Sequence, residues 1–327
     1  MSALPVRAPA WIREKALDLG ELHAIKRTMR SRGLHTVCEE ARCPNRSECF
    51  SLGTATFLLL GDVCTRACGF CDIANGVPTF DDPEEPGKVA DAVRSMKLRH
   101  VVLTSVDRDD LPDGGAAHFA RTIEAIRAID PAIGIEVLTP DFRGRRESIE
   151  AVVDARPDVF NHNVETVPRL YARVRRGARL DRSLALLDTV KDLAPGMTTK
   201  SGFMMGLGET RDECVELLGR MREARIDIVT IGQYLRPSKE NLPVVEYVHP
   251  EVFDGLRIEG EAMGFRHVFA GPFVRSSYRA EEALLAATKA ASKASPHPPT
   301  PSPGGEGAGA ATKTASNAAG GAPEPRP

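Results

Sequence analysis

The sequence predicts an α/β chain of parallel strands joined by helices, and three observations carry that expectation. From Thr54 onward, short apolar or β-branched runs recur six times. Each is followed by a longer segment whose apolar residues return at helical spacing. The runs are apolar almost throughout rather than alternating, as strands buried on both faces are. Length agrees, since 327 residues with 42% hydrophobic content can bury one substantial core.

Taken in order, the first segment, Met1 to Arg32, spaces Leu17, Leu22, Ile25 and Met29 for one face of an amphipathic helix. Leu34 to Leu52 contains three cysteines, is broken by Pro44 and Asn45, and holds too few apolar residues for a core of its own. The strand candidates are Thr54 to Leu60, His100 to Ser105, Ile133 to Leu138, Val159 to Asn163, Thr198 to Met205 and Ile228 to Leu235. Helical patterns follow at Lys88 to Lys97, His118 to Ile129, Arg146 to Ala155, Ser183 to Leu193, Arg211 to Ala224 and Glu251 to Met263. Right-handed crossovers between such strands give either an open doubly wound sheet or a barrel. Polar residues cluster directly after each strand, and a closed or nearly closed barrel would bring those loops to one mouth. Gly271 to Tyr278 breaks the pattern with Pro272, and Glu281 to Ala290 can form a last helix. Beyond about Lys293 the chain is almost entirely Ala, Pro, Gly, Ser and Thr, which cannot offset chain entropy by burial. The expected division is an N-terminal extension (1–53), a barrel (54–290) and a disordered low-complexity tail (291–327).

A net charge of −2 makes no electrostatic case for nucleic acid or membrane as the principal partner. No apolar run approaches the roughly eighteen residues of a membrane helix, and the N-terminus, with Pro5, Arg7 and Pro9, lacks the apolar core of a secretory signal. A cytoplasmic protein is expected. In a reducing compartment clustered cysteines are metal ligands or redox centres rather than disulfides. Six of the seven cysteines fall between Cys38 and Cys71; Cys214 shares a helical face with Leu217, Leu218 and Met221 and reads as a buried core thiol.

Cys64, Cys68 and Cys71 form C-x3-C-x2-C. A closed zinc site wants four ligands, and no histidine lies at finger-like spacing. A 4Fe-4S cubane is usually held by four thiolates, so three would leave one iron open to chelate the amino and carboxylate groups of S-adenosylmethionine. With the aromatic Phe70 before the last cysteine, this pattern resembles the signature of the radical S-adenosylmethionine superfamily, and the six βα units are similar to its partial barrel. The resemblance implies a partial (β/α)6 TIM-type barrel. Asp113-Gly114-Gly115 and Gly206-Leu207-Gly208-Glu209 resemble the superfamily's cofactor contacts, although each alone also reads as a turn or helix start. The resemblance places Asn163 and Glu165 near the ribose or the substrate, with Tyr234 in the same cofactor set; Glu165 also reads as an ordinary strand-end carboxylate.

Upstream, Cys38, Cys43 and Cys49 form C-x4-C-x5-C, which closely resembles the auxiliary-cluster motif of lipoyl synthases. The match continues through Gly61 to Arg66, Thr104 to Leu111, Asn161 to Thr166 and Arg275-Ser276-Ser277-Tyr278. This resemblance implies two 4Fe-4S clusters, one at Cys64, Cys68 and Cys71 that binds S-adenosylmethionine, the other at Cys38, Cys43, Cys49 and the Ser277 oxygen. It implies an enzyme, a sulfurtransferase, that inserts two sulfur atoms from the auxiliary cluster at C6 and C8 of a protein-bound octanoyl-lysine. The implied partners are octanoylated lipoyl-carrier domains of 2-oxoacid dehydrogenases, the glycine cleavage H protein, a ferredoxin or flavodoxin donor and a cluster-rebuilding carrier. Two other readings stand beside it: a different radical sulfur inserter, and a two-cluster electron carrier, which would want fully thiolate-ligated clusters in a small fold. Arg169, Arg173, Arg175, Arg176, Arg179 and Arg182 form either a dock for an acidic carrier domain or a solvated face. Arg236 stands where the family is expected to have glutamine.

Overall fold

The computed structural model describes residues 7–13, 33–37, 45, 54–79, 82–277 and 280–282. Several expectations lie outside these residues: the Leu17, Leu22, Ile25 and Met29 face, the cysteines at 38, 43 and 49, Tyr278, and the final helix beyond residue 282. The chain divides into two compact units, Met1–Lys293 and Ala294–Pro327, and the second is wholly outside the described residues.

The main sheet is built in chain order. A two-residue strand β1 (His35–Thr36) pairs antiparallel with β2 (Thr54–Leu59). A small separate pair, β3 (Val63–Cys64) and β4 (Ala74–Asn75), closes the loop after β2. The main sheet continues through β5 (His100–Ser105), β6 (Gly134–Leu138), β7 (Val159–Asn161), β8 (Thr198–Met205), β9 (Ile228–Gln233) and β10 (His267–Gly271). Its order is β1-β2-β5-β6-β7-β8-β9-β10, and every pair from β2 onward is parallel. Each new strand from β2 onward is added on the same side of the last, so the order in the sheet follows the chain. Among the described residues β10 pairs only with β9, so the barrel is partial.

Every residue of β2 and of β9 is buried, which is why these strands read as continuous apolar runs. Helices Glu85–Ser95, Ala116–Ile129, Arg146–Asp154, Leu180–Leu193, Arg211–Glu223 and Pro250–Ala262 connect the strands, close to the expected bounds. One contiguous core, including Phe57, Phe119, Phe160 and Phe253, joins both layers. Each such side chain contributes roughly 1.5–3 kcal/mol through burial. The strand β10 is an addition to the expected set: it lies where the sequence reads as the approach to an irregular segment, and it places residues 272–277 over the barrel's end.

Candidate active site

The loops after the strands do converge. They enclose a cavity of about 350 Å³ at the C-terminal ends of the strands, lined from Thr56 and Leu58 on β2, Thr104 on β5, Leu138 on β6, Met204 on β8 and Gly232 on β9. Cys64, Cys68 and Cys71 all open onto it, with Phe70, Asn163, Glu165, Tyr234, Ser276 and Ser277. Residues far apart in sequence are gathered here by the fold alone.

The cysteine loop is held in place from three sides. Thr65 donates its backbone N–H and its hydroxyl to the Asp107 carbonyl at 3.0 and 2.8 Å, and its Oγ1 accepts from Asp109 N at 3.1 Å. Gly69 N donates to the Val174 carbonyl at 2.9 Å, and Leu242 N donates to the Gly69 carbonyl at 2.9 Å. Asn241 Nδ2 donates to the Cys71 carbonyl at 2.7 Å. Burial raises the Cys64 pKa, but the backbone amides of Arg66 and Asp107 point at its Sγ at 3.4 and 3.3 Å and favour the thiolate.

Electrostatics support the same loop. Arg66 is buried and donates to both oxygens of Asp109, at 2.8 and 2.9 Å, and to Asp141 at 2.7 Å; its Nη1 lies 3.3 Å from Asp107 Oδ1 without hydrogen-bond alignment. Burial alone would lower the Arg66 pKa, but these carboxylates outweigh it and hold the guanidinium charged. Burial likewise works against Asp141, yet Arg66 keeps its carboxyl below the usual range. Burial pushes the Cys68 and Cys71 thiols up to about 12 and about 11, so in the absence of metal both are neutral near pH 7, and ligation as thiolates releases protons.

Arg175 lines the cavity, and its guanidinium contacts neutral acceptors: the Asn163 carbonyl at 2.7 Å and Ser183 Oγ at 3.1 Å. No carboxylate pairs with it among the described residues. His162 supports it from behind. Burial first, and Arg175 second, lower the His162 pKa to about 3, so the ring is neutral; Nδ1–H donates to the Thr139 carbonyl at 2.7 Å and Nε2 accepts from Ser183 Oγ at 3.0 Å. Burial raises the pKa of Glu165, which holds a left-handed backbone at φ 69°. Ser105 Oγ, Thr139 Oγ1 and Asn163 Oδ1, all buried in residues of the lining, have no hydrogen-bond partner among the described residues.

Other sequence candidates sit elsewhere. Asp113 accepts from the amides of Gly115 and Ala117 at 2.9 and 2.8 Å, and Gly114 and Gly115 adopt φ of 65° and 90° at the start of helix Ala116–Ile129. Glu209 accepts from the amides of Gly206 and Leu207, and Gly206 and Gly208 are also left-handed. Neither stretch lines the cavity. Tyr234 does, and its hydroxyl donates to the Leu242 carbonyl at 2.8 Å, bracing the loop that holds Gly69. Arg236 donates to the Asn241 and Lys239 carbonyls, so it braces its own loop. Asn163 Nδ2 donates to Ser276 Oγ at 3.0 Å. Asn45, between the cysteines at 43 and 49, donates to the Phe273 carbonyl at 2.6 Å, four residues before Ser277. Sequence reasoning gives no individual role to Arg66, Asp107, Asp141 or Arg175; the signal available for Arg175 is its i, i+4 spacing from the buried Tyr171.

Among the described residues no three His, Cys, Asp or Glu side chains gather as the ligands of a single ion would. A cubane does not ask for that, because each of its corners takes one ligand. The free thiols of Cys64, Cys68 and Cys71 on one loop, with two amides aimed at Cys64, fit such a group.

Residues 58–221 match the Radical SAM superfamily. The chain is 56% identical over 274 residues to a lipoyl synthase of Rubrobacter xylanophilus, covering 84% of this chain and 85% of the relative. It is 54% identical over 279 residues to a lipoyl synthase of Methylococcus capsulatus, covering 85% and 87%. Among solved structures, methylornithine synthase matches with a TM-score of 0.52 at 16% identity, over 74% of this chain and 70% of that one. At that identity the likeness speaks for the fold.

Proposed function

The chain belongs to the lipoyl synthases of the radical S-adenosylmethionine superfamily, and from that premise we propose how its own residues serve the reaction. It is a sulfurtransferase that inserts sulfur at C6 and C8 of a protein-bound octanoyl-lysine by radical chemistry. In our reading Cys64, Cys68 and Cys71 hold the 4Fe-4S cluster that binds S-adenosylmethionine, while Cys38, Cys43, Cys49 and Ser277 hold an auxiliary 4Fe-4S cluster that gives up the sulfur. When bound, these groups supply reductive cleavage of the sulfonium and the sulfur atoms.

The observation that carries this reading is the shared cavity: the cysteine loop and Ser277 open onto one space, and Asn45 ties the upstream cysteine segment to the stretch that leads to Ser277. Arg175, which no carboxylate pairs with among the described residues, receives the methionine carboxylate. Ser105, Thr139 and Asn163 offer unpartnered oxygens to the cofactor's amino and ribose groups, with Glu165 beside them. Leu58, Phe70, Leu138, Phe203 and Leu235 give the octanoyl chain apolar walls and exclude water. The Asp113 and Glu209 stretches act at one remove, by shaping the turns around this space.

The partners we propose are octanoylated carrier domains, a ferredoxin or flavodoxin donor and a cluster-rebuilding carrier. No helix among the described residues is long and apolar enough to cross a membrane; a cytoplasmic location is part of the proposal, as is the division at residues 53 and 290. Anaerobic reconstitution with iron and sulfide, followed by S-adenosylmethionine and dithionite, is expected to yield 5′-deoxyadenosine from the wild type and none from Cys68→Ser. Equal yields would contradict the assignment of the cysteine loop.

A further inference from the structure

The arginine run from Arg169 to Arg182 divides in the folded chain. Arg169 pairs with Glu213 at 2.7 Å, Arg182 pairs with Asp141 at 2.8 Å, and Arg175 is buried in the cavity wall. Arg173, Arg176 and Arg179 are exposed and form no ion pair among the described residues. They stand beside the outer side of the cysteine loop. Val174 accepts from Gly69 N, a Cβ on Gly69 would lie 3.2 Å from the Arg173 carbonyl, and one on Gly177 would lie 3.8 Å from Arg66 Cδ. Ala67, inside the loop, is exposed. Where the loop reaches solvent, the protein presents three positive charges with no acidic partner among the described residues.

We propose that Arg173, Arg176 and Arg179 form the docking face for an acidic one-electron donor protein of flavodoxin or ferredoxin type. This rests on the assignment of Cys64, Cys68 and Cys71 given above. An electron donor needs its cofactor brought close to the cysteine loop, and this face adjoins it. It also needs only a brief, charge-steered encounter, for which exposed charges and a small interface suffice. Each productive encounter oxidises the donor by one electron, and that electron is consumed in breaking one sulfonium carbon–sulfur bond to give methionine and one carbon radical.

The test compares the wild-type holoenzyme with Arg173→Glu/Arg176→Glu/Arg179→Glu, using flavodoxin as the probe. The dissociation constant for flavodoxin is measured across ionic strength, and 5′-deoxyadenosine formation is driven either by reduced flavodoxin or by dithionite. At low salt the variant is expected to bind flavodoxin roughly ten-fold or more weakly, and to lose most of the salt dependence. Its flavodoxin-driven rate falls while its dithionite-driven rate is unchanged, which also reports that it is folded. Unchanged flavodoxin affinity would overturn the proposal, as would weakened binding of an octanoylated carrier domain alone. A wild type that forms no 5′-deoxyadenosine with dithionite would instead contradict the functional reading, while the affinity measurement would still decide the docking face.

Discussion

Arg175 and His162 form a buried pair that carries one charge, and in the proposed reading that charge meets a ligand. The neutral His162 ring and Ser183 fix the guanidinium, whose remaining capacity faces the cavity. Arg175→Lys keeps the charge but loses the fork, and is expected to weaken S-adenosylmethionine binding about ten-fold; an unchanged dissociation constant would contradict the assigned contact. His162 also makes stability depend on pH. Its ring titrates near 6.5 when unfolded and about 3 when folded, so between those values the unfolded chain binds more protons. The stability that His162 contributes therefore falls as pH drops below about 6.5, and this contribution is level above it. Urea denaturation from pH 7 to 4.5 should show that slope, and His162→Gln should flatten it; the same slope in the variant would remove His162 as its source.

At the scale of elements, β10 and the segment after it close the site. Gly232 on β9 makes that approach possible, because a Cβ there would overlap the Val274 carbonyl oxygen. Gly232→Ala must displace the segment that carries Ser276 and Ser277, and is expected to cost about 1–3 kcal/mol. Sulfur insertion should fall more than cleavage of S-adenosylmethionine, measured side by side; an equal loss of both would point to general unfolding. The strands β2, β5 and β9 are legible in the sequence because they are largely runs of apolar and β-branched residues. In β10 only Val268 is buried, so its pattern carries little signal.

Across the whole molecule, the cysteine loop is legible from spacing, whereas the charged groups around it are not. Arg66, Asp107, Asp109 and Asp141 lie on three different loops, and only the barrel brings them together. Arg175 is hidden in a run that reads as one surface, although the fold uses its arginines in three different ways. The glycine-rich stretches at Asp113 and Gly206 are legible as turns: the Asp113 and Glu209 carboxylates accept from backbone amides within them.

The central proposal is that one cysteine set makes the radical and another supplies the sulfur. Its most direct test is to give the reconstituted protein S-adenosylmethionine, reductant and an octanoyl-lysine peptide, and to follow the peptide by mass spectrometry. The wild type is expected to add two sulfur atoms, while Cys43→Ala still forms 5′-deoxyadenosine and adds none. Normal sulfur insertion by Cys43→Ala would contradict the account.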